Sequence, residues 1–286
     1  MSEYENMINK LVLTDRTKIA YKYAYKKLTD ALEANIGQST EKNILNTIPE
    51  ISKSINTQSS FLNIAILIFK SIDKNHDKLL NQREKNKIEI QTKKDMGNEQ
   101  KLKDLPTFKT LELNLEKLYV NKQYQEFIIN YILLKLGVRN KDLNLLIVRK
   151  KKDTNKTDNF LIVRGTDILL LRQDYKTVKS YGKKENAIKS DKFRKAVLEL
   201  LKENDNMTPT PLLKKSNGSR IGEDSLFNYI TSRTYNNISE SDILKVQLEH
   251  INQMGNLNKL NSLSRNRGTN VATLVNDYNL TKFELE

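Results

Sequence analysis

The sequence predicts a mainly α-helical protein with one small antiparallel β-sheet, an α+β fold divided over two domains. Apolar residues recur at helical spacing over most of the chain, and the period shortens to that of strands only between residues 143 and 181. A mixed-charge stretch, poor in large apolar side chains, separates the two helical parts. A chain of 286 residues is long enough for two domains, each with its own core.

Taken in order, Thr14 and Asp15 offer N-cap oxygens to a helix in which Ile19, Tyr23, Tyr25, Leu28 and Leu32 recur. Ser39 or Thr40 caps a second helix carrying Ile44, Leu45 and Ile48, and Thr57 to Ser60 precede a third over 61–72. That third helix is apolar on most faces, which puts it at the centre of a small bundle. Residues 1–72 therefore form the first domain. Residues 73–105, with Arg83-Glu-Lys-Asn-Lys87 and Lys93-Lys94, read as a charged linker with some helical content. The second domain, 106–286, opens with helical periodicity over 108–136, carried by Leu111, Leu115, Leu118, Phe127, Tyr131 and Leu134. Short strand-like runs follow at 143–148, 159–163 and 168–171, with a further extended piece at 176–181 that ends on Gly182. A helix over 190–201 leads to a loop at 205–219, and helices over 224–233, 239–254, 257–265 and 271–278 complete the chain.

Lysine and arginine outnumber aspartate and glutamate by 49 to 35, a formal net charge of +14. A surplus of that size favours a polyanion partner, nucleic acid or an acidic membrane face, over a merely solvated lysine-rich surface. The chain has no cysteine and only two histidines, His76 and His250. That excludes disulfide and thiolate chemistry and argues against a zinc site or a Ser-His nucleophile. The start, MSEYENMINKLVL, lacks the basic and apolar regions of a secretory signal, and the run 64–69 is too short to cross a bilayer. An intracellular, soluble protein with no membrane partner is expected.

Three short motifs carry the chemistry. In Gly137-Val-Arg139-Asn-Lys-Asp142 a guanidinium suited to a bidentate grip on a phosphate stands three residues before a carboxylate that can orient it. Asp174-Tyr-Lys176-Thr-Val-Lys179-Ser-Tyr-Gly182 offers a single ammonium on a flexible stem, a group able to deliver one proton. Toward the end, Arg267-Gly-Thr269 turns the chain at a helix N-terminus, where free amides favour an anion, and Tyr278 follows nine residues after Thr269.

In this order and spacing the chain resembles a tyrosine recombinase, in particular the divergent kind found in large DNA viruses and mobile elements. The resemblance covers nearly the whole chain apart from the linker. It implies a helical core-binding domain at 1–72 (SAM-like) and a catalytic domain at 106–286, which together form a clamp on double-stranded DNA. It implies Tyr278 as the nucleophile that forms a 3′-phosphotyrosine, Arg139 as the phosphate clamp and Lys176, on the sheet's hairpin, as general acid. DNA contacts are implied for Asp142, Lys179, Arg267 and Thr269, with assembly as a homo-oligomer on DNA in a host cell, nucleus or virion. No metal and no other cofactor is required, because the bond energy is kept in the phosphotyrosine.

The departures from the family pattern matter as much. Where the family has His-x-x-Arg, this chain has Asp242-Ile-Leu-Lys245. Lys245 keeps the charge without the planar fork, and Asp242 places an anion beside a phosphate. Thr269 stands in the place of the family's last His or Trp. His250, downstream on the helix of Lys245, is read as structural rather than as a substitute. Two functions follow: an active recombinase or integrase using Lys245 as its second cation, or a degenerate relative that keeps the fold as a DNA-binding or virion structural protein. A helical scaffold whose basic surface binds acidic partners or RNA accounts for the charge but not for the ordered Arg, Lys and Tyr.

Overall fold

The computed structural model describes residues 3–11, 13, 15–215 and 217–278, and describes side chains for all of these except 3, 5, 16, 98–102, 277 and 278. The chain divides into two compact units, Met1–Glu99 and Gln100–Glu286.

The first unit is helical. Its elements are α1 (Glu3–Lys10), α2 (Asp15–Leu32), α3 (Glu41–Ile51), α4 (Ile55–Ser71) and the start of α5 (Asp77–Asp104). Thr40 caps α3 by accepting from the Asn43 amide at 3.2 Å, and Ser54 caps α4 by accepting from Thr57. α4 is apolar all round because it is surrounded: Phe61, Leu62, Ile64, Ala65, Ile68 and Phe69 are buried together with Ile8, Leu28, Ile36, Ile44 and Leu79. In α2 the buried face is Ala24, Tyr25 and Leu28, whereas Ile19 and Tyr23, expected on that face, are 67% and 60% exposed. Both lie off the i, i+3, i+4 row that runs through Leu28. α1 had no counterpart in the sequence reading. The stretch expected as a linker is the single helix α5, whose Leu79 joins this core. Its entry is fixed by the Glu41 carboxylate, which accepts from the Lys78 and Leu79 amides at 2.8 and 3.3 Å.

The second unit begins with α6 (Phe108–Val120) and α7 (Tyr124–Leu136). The periodicity over 108–136 is thus broken in two at Lys122, whose φ of 60° is left-handed. There follow β1 (Leu145–Val148), β2 (Asn159–Val163), β3 (Ile168–Arg172), a short α8 (Val178–Tyr181), β4 (Lys184–Ile188), α9 (Asp191–Lys202) and β5 (Thr210–Pro211). The helices α10 (Glu223–Thr231), α11 (Glu240–Gln253), α12 (Leu257–Arg267) and α13 (Val271–Tyr278) complete the described chain. The architecture is mainly α with one small sheet, of strand order β4-β3-β2-β1-β5.

The sheet is mixed rather than antiparallel, because β1 and β2 run parallel, with Leu145 opposite Asn159 and Val148 opposite Ile162. Residues 176–181, expected as extended, form a turn followed by α8, and the outer strand is β4 instead. One face of the sheet, with Leu145, Ile147, Leu161, Ile168, Leu170 and Ile188, packs into the main core with α6, α7, α9 and α10. The other face gathers Leu146, Val148, Phe160, Ile162, Leu169 and Leu171. A smaller cluster of Leu244, Leu248, Leu260, Leu263 and Leu274 fastens α11, α12 and α13 to one another.

Candidate functional site

The site grows out of the end of α7. Gly137 terminates that helix in a left-handed conformation, φ 62°, and its amide donates to Leu133 O. A Cβ there would also lie 2.1 Å from Leu263 Cδ1, so glycine lets α7 and α12 meet. The chain then extends through Val138 and Arg139 into a short 3-10 turn, Asn140–Leu143.

Arg139 Nη1 donates to the carbonyl of Arg267 at 2.5 Å. Arg267 in turn donates from Nη1 to Gly137 O at 3.0 Å and from Nη2 to Glu240 Oε1 at 2.5 Å. The same Glu240 carboxylate accepts from the Asn140 amide at 3.1 Å. Two other groups reach the same turn from the sheet side. Thr177 Oγ1 donates to Gly268 O at 2.6 Å, and Lys184 Nζ donates to Arg265 O. The carbonyls of Arg265, Arg267 and Gly268 at the C-terminal end of α12 thereby all find donors, two of them cationic, as the negative end of a helix favours. Gly268, φ 66°, is itself in the left-handed region, and a Cβ on it would lie 2.6 Å from Thr177 Oγ1 and 2.8 Å from Tyr175 Cε2.

Beneath this layer lies a buried ion pair. Asp142 Oδ2 accepts from Arg172 Nη1 at 2.9 Å, and neither side chain is exposed at all. Arg172 Nη2 continues to Asn186 Oδ1 at 3.0 Å, and Asn186 Nδ2 to Asn266 Oδ1 at 2.9 Å. Burial pushes the Asp142 carboxyl above the usual carboxylate range, with the Arg172 guanidinium pulling the other way. Lys184 is brought down to about 8, first by burial and then by the repulsion of Arg172 and Arg139, with Asp142 opposing. Its ammonium lies over the rings of Tyr175 and Tyr181, at 5.5 and 5.1 Å from their centres.

The residues expected from sequence fall into distinct places. Arg139 is half-buried against the α12–α13 turn. Asp142 and Arg267, expected as DNA contacts, are 1% and 2% exposed and are held by internal partners, so they support the turn rather than face solvent. Lys176 and Lys179 are exposed in the connection between the antiparallel strands β3 and β4, Lys176 just before α8 and Lys179 within it, and not in the tight turn between β2 and β3. The flanking residues explain the motif around them: Tyr175 is buried and donates to Gly182 O at 2.6 Å, while Asp174 pairs with Lys141 at 3.0 Å. The β2–β3 hairpin turn carries Arg164 instead. Thr269 is half-buried beside the turn, with its backbone bonded to Ser264 at 3.2 and 2.6 Å. Tyr278 is the last residue of α13, about 10 Å along the helix from Val271 at the usual rise; its side chain lies outside the described residues.

Lys245 sits in α11 with Asp242 one turn before it. Ser239 caps this helix, accepting from the Asp242 amide at 3.2 Å and donating to Asp242 Oδ2 at 2.7 Å. Asp242 therefore stands in the first turn of α11 with its carboxylate bonded to the capping hydroxyl, and its Oδ1 lies 3.6 Å from Lys245 Nζ. Both residues are buried, Lys245 at 9% and Asp242 at 4% exposure. His250 stacks flat on Phe108, ring centres 4.1 Å apart. Sequence reasoning missed Arg172 and Lys184. Arg172 ends a strand of leucines and could have been found as a charge at an inward position; Lys184 could have been found by the alternation of Lys184, Asn186 and Ile188.

No family model matches the chain, and no curated protein matches it. Among solved structures, the chain is similar to the crystal structure of a XerA recombinase, at 13% identity, over 97% of this chain and 92% of that one, with a TM-score of 0.39.

Proposed function

We propose that the protein binds double-stranded DNA and is built as a tyrosine recombinase, cleaving and rejoining one strand through Tyr278. The observation that carries this reading is the convergence of Arg139, Lys184 and the segment around Lys176 on the turn that leads into the Tyr278 helix. In the proposed reaction the Tyr278 hydroxyl gives its proton to solvent and its oxygen bonds to phosphorus while the bond to the 5′ oxygen breaks, leaving a 3′-phosphotyrosine. The departing 5′ oxygen takes a proton from Lys176, and Arg139 with Lys245 offsets the charge on the phosphoryl oxygens. Rejoining is the reverse, with no nucleotide consumed. Protomers assemble on paired sites in this reading, and the segment from Asp174 to Gly182 favours a viral or mobile-element branch of the family.

A second reading has its own observation. Lys245 is buried and ion-paired with Asp242, so the second cation is already neutralised by its own helix. Loss of one such donor costs about 10²–10³ in rate, which favours a DNA-binding or virion structural protein that retains the architecture without cleavage.

A nicked duplex that traps the covalent intermediate separates the two. A protein–DNA adduct that disappears in Tyr278→Phe establishes strand cleavage. Salt-sensitive DNA binding without any adduct establishes the degenerate form. DNA affinity that does not change with salt overturns both, since each neutralised phosphate adds about 0.9 to the log–log slope.

A further inference from the structure

The parallel pairing of β1 and β2 imposes a task on the chain between them. After Val148 it must return the length of a strand before Asn159 can begin in register, and residues 149–158 do this with a single 3-10 turn, Lys151–Asp153. Their route is marked by Lys151, whose Nζ lies 3.0 Å from Glu185 Oε1 on β4. Glu185 stands opposite Leu171, Leu171 opposite Phe160 and Phe160 opposite Leu146, so all four share the sheet face that bears no core helix. Residues 149–158 are thus a strap across that face.

Covering an apolar face requires carbon, and lysine stems can supply it. It does not require the charge found here. Residues 149–156 carry Arg149, Lys150, Lys151, Lys152 and Lys156 against the single acid Asp153, and all six are exposed. Among the described residues only Lys151 of these five has an acidic partner, while Arg149 donates to Asn206 Oδ1 at 2.8 Å. The patch continues past Arg149 into a groove lined by Arg194, Lys195 and Lys202 of α9. Of the two acids there, Glu199 is occupied by Lys202 at 2.8 Å and Asp191 stands exposed at the start of α9, so the cations still outnumber the free acid, and the buried Nε of Arg194 has no hydrogen-bond partner among the described residues. Adjacent like charges repel one another in the free protein, and a row of phosphates relieves that repulsion.

We propose that the strap 149–156 and the adjoining α9 groove form a second nucleic-acid surface, one that grips backbone phosphates without reading bases. It rests on the reading that the protein binds DNA. Arg172 and Lys184, paired across β3 and β4, stand on the opposite face of the sheet from Glu185 and the strap. The strap therefore meets a different stretch of nucleic acid from the one at the Tyr278 turn: a flank of the same duplex bent around the unit, or a second duplex.

The test is the salt dependence of binding to a random-sequence DNA duplex, for the full chain and for the chain with Lys150→Gln, Lys152→Gln and Lys156→Gln together. All three positions are exposed, so circular dichroism and melting should be unchanged. The expected result is a log–log slope shallower by about 2–3 in the triple variant, close to one phosphate per lysine. A triple variant with the slope of the unaltered chain overturns the strap proposal alone. An unaltered chain that shows no salt-dependent binding overturns the DNA reading, and the strap with it. Polyglutamate held as tightly as the duplex, and released by the same substitutions, assigns the surface to acidic proteins instead.

Discussion

At the scale of single residues, the second unit turns on a guanidinium and a carboxylate that never meet water. Arg172 and Asp142 are fully buried, and each is tolerated only because the other is present. Arg172→Met should destabilise the protein by about 3–5 kcal/mol in urea unfolding, because it strands the Asp142 carboxylate. Adding Asp142→Leu to that variant should restore most of the loss, as the uncompensated charge is then gone. Lys184 gives a prediction of a different kind. Its amine is held at about 8 in the folded state, below the ordinary lysine value. Above that folded value the native protein holds fewer protons than the unfolded chain, so stability should rise as pH climbs from about 8 toward the unfolded lysine value. Urea midpoints measured over that window should climb in the unaltered protein and run flatter in Lys184→Met. Equal slopes would mean that Lys184 titrates as a free surface lysine. These residues also show what a sequence conceals. The partner of Asp142 could not be read from the sequence. Arg172 is 30 positions away, and only the pairing of β3 with β4 and the fold of residues 140–143 bring the two together.

At the scale of elements, several helices were legible from the caps that open them, whereas α4, capped by Ser54, begins six residues before the 61–72 expected from sequence. Thr40 opens α3, Ser190 opens α9 by accepting from the Phe193 amide, and Ser239 opens α11. Where punctuation was missing the boundary was not legible: no glycine or proline marks the break at Lys122, and the helical periodicity over 108–136 runs through both α6 and α7. β4 was missed because four of its five residues, Lys184, Glu185, Asn186 and Ala187, are types poor in strands, and only Ile188 is β-branched. The parallel direction of β2 could not be read at all, since a ten-residue connection with turn-like composition reads as a hairpin loop. The glycines that close α7 and α12 carry the element-level prediction. Gly137→Ala should cost about 1–2 kcal/mol for the left-handed backbone alone, and more if Leu263 has to move from the position a Cβ would occupy. Because Arg139 follows Gly137 by two residues, the same substitution should, if the proposed function holds, weaken DNA binding beyond what its loss of stability explains. Thermal melting and binding measured on the same preparation would separate the two effects. An unchanged melting point would show that the helix end adapts freely.

At the scale of the whole molecule, the mainly α architecture with one small sheet follows from composition and periodicity. Each unit encloses its own hydrophobic core, as a chain of this length allows. The net charge of +14 belongs to this scale as well. The protein should be retained on a heparin column and released only by salt; passage without retention would show that its cations are neutralised within the fold. The described helices include none that is long and apolar enough to cross a membrane.

The two margins of the sheet have a consequence for assembly. On one side β5 is only two residues long, and its Pro211 has no amide to offer. On the other, β4 places Lys184 and Glu185 side by side with Lys183 just before them, and charge along a margin of this kind repels an incoming backbone. Neither margin is a template on which another polypeptide can continue the ladder. Copies of this protein that come together must therefore do so through helices, loops or a shared ligand, and the sheet ends within its own subunit.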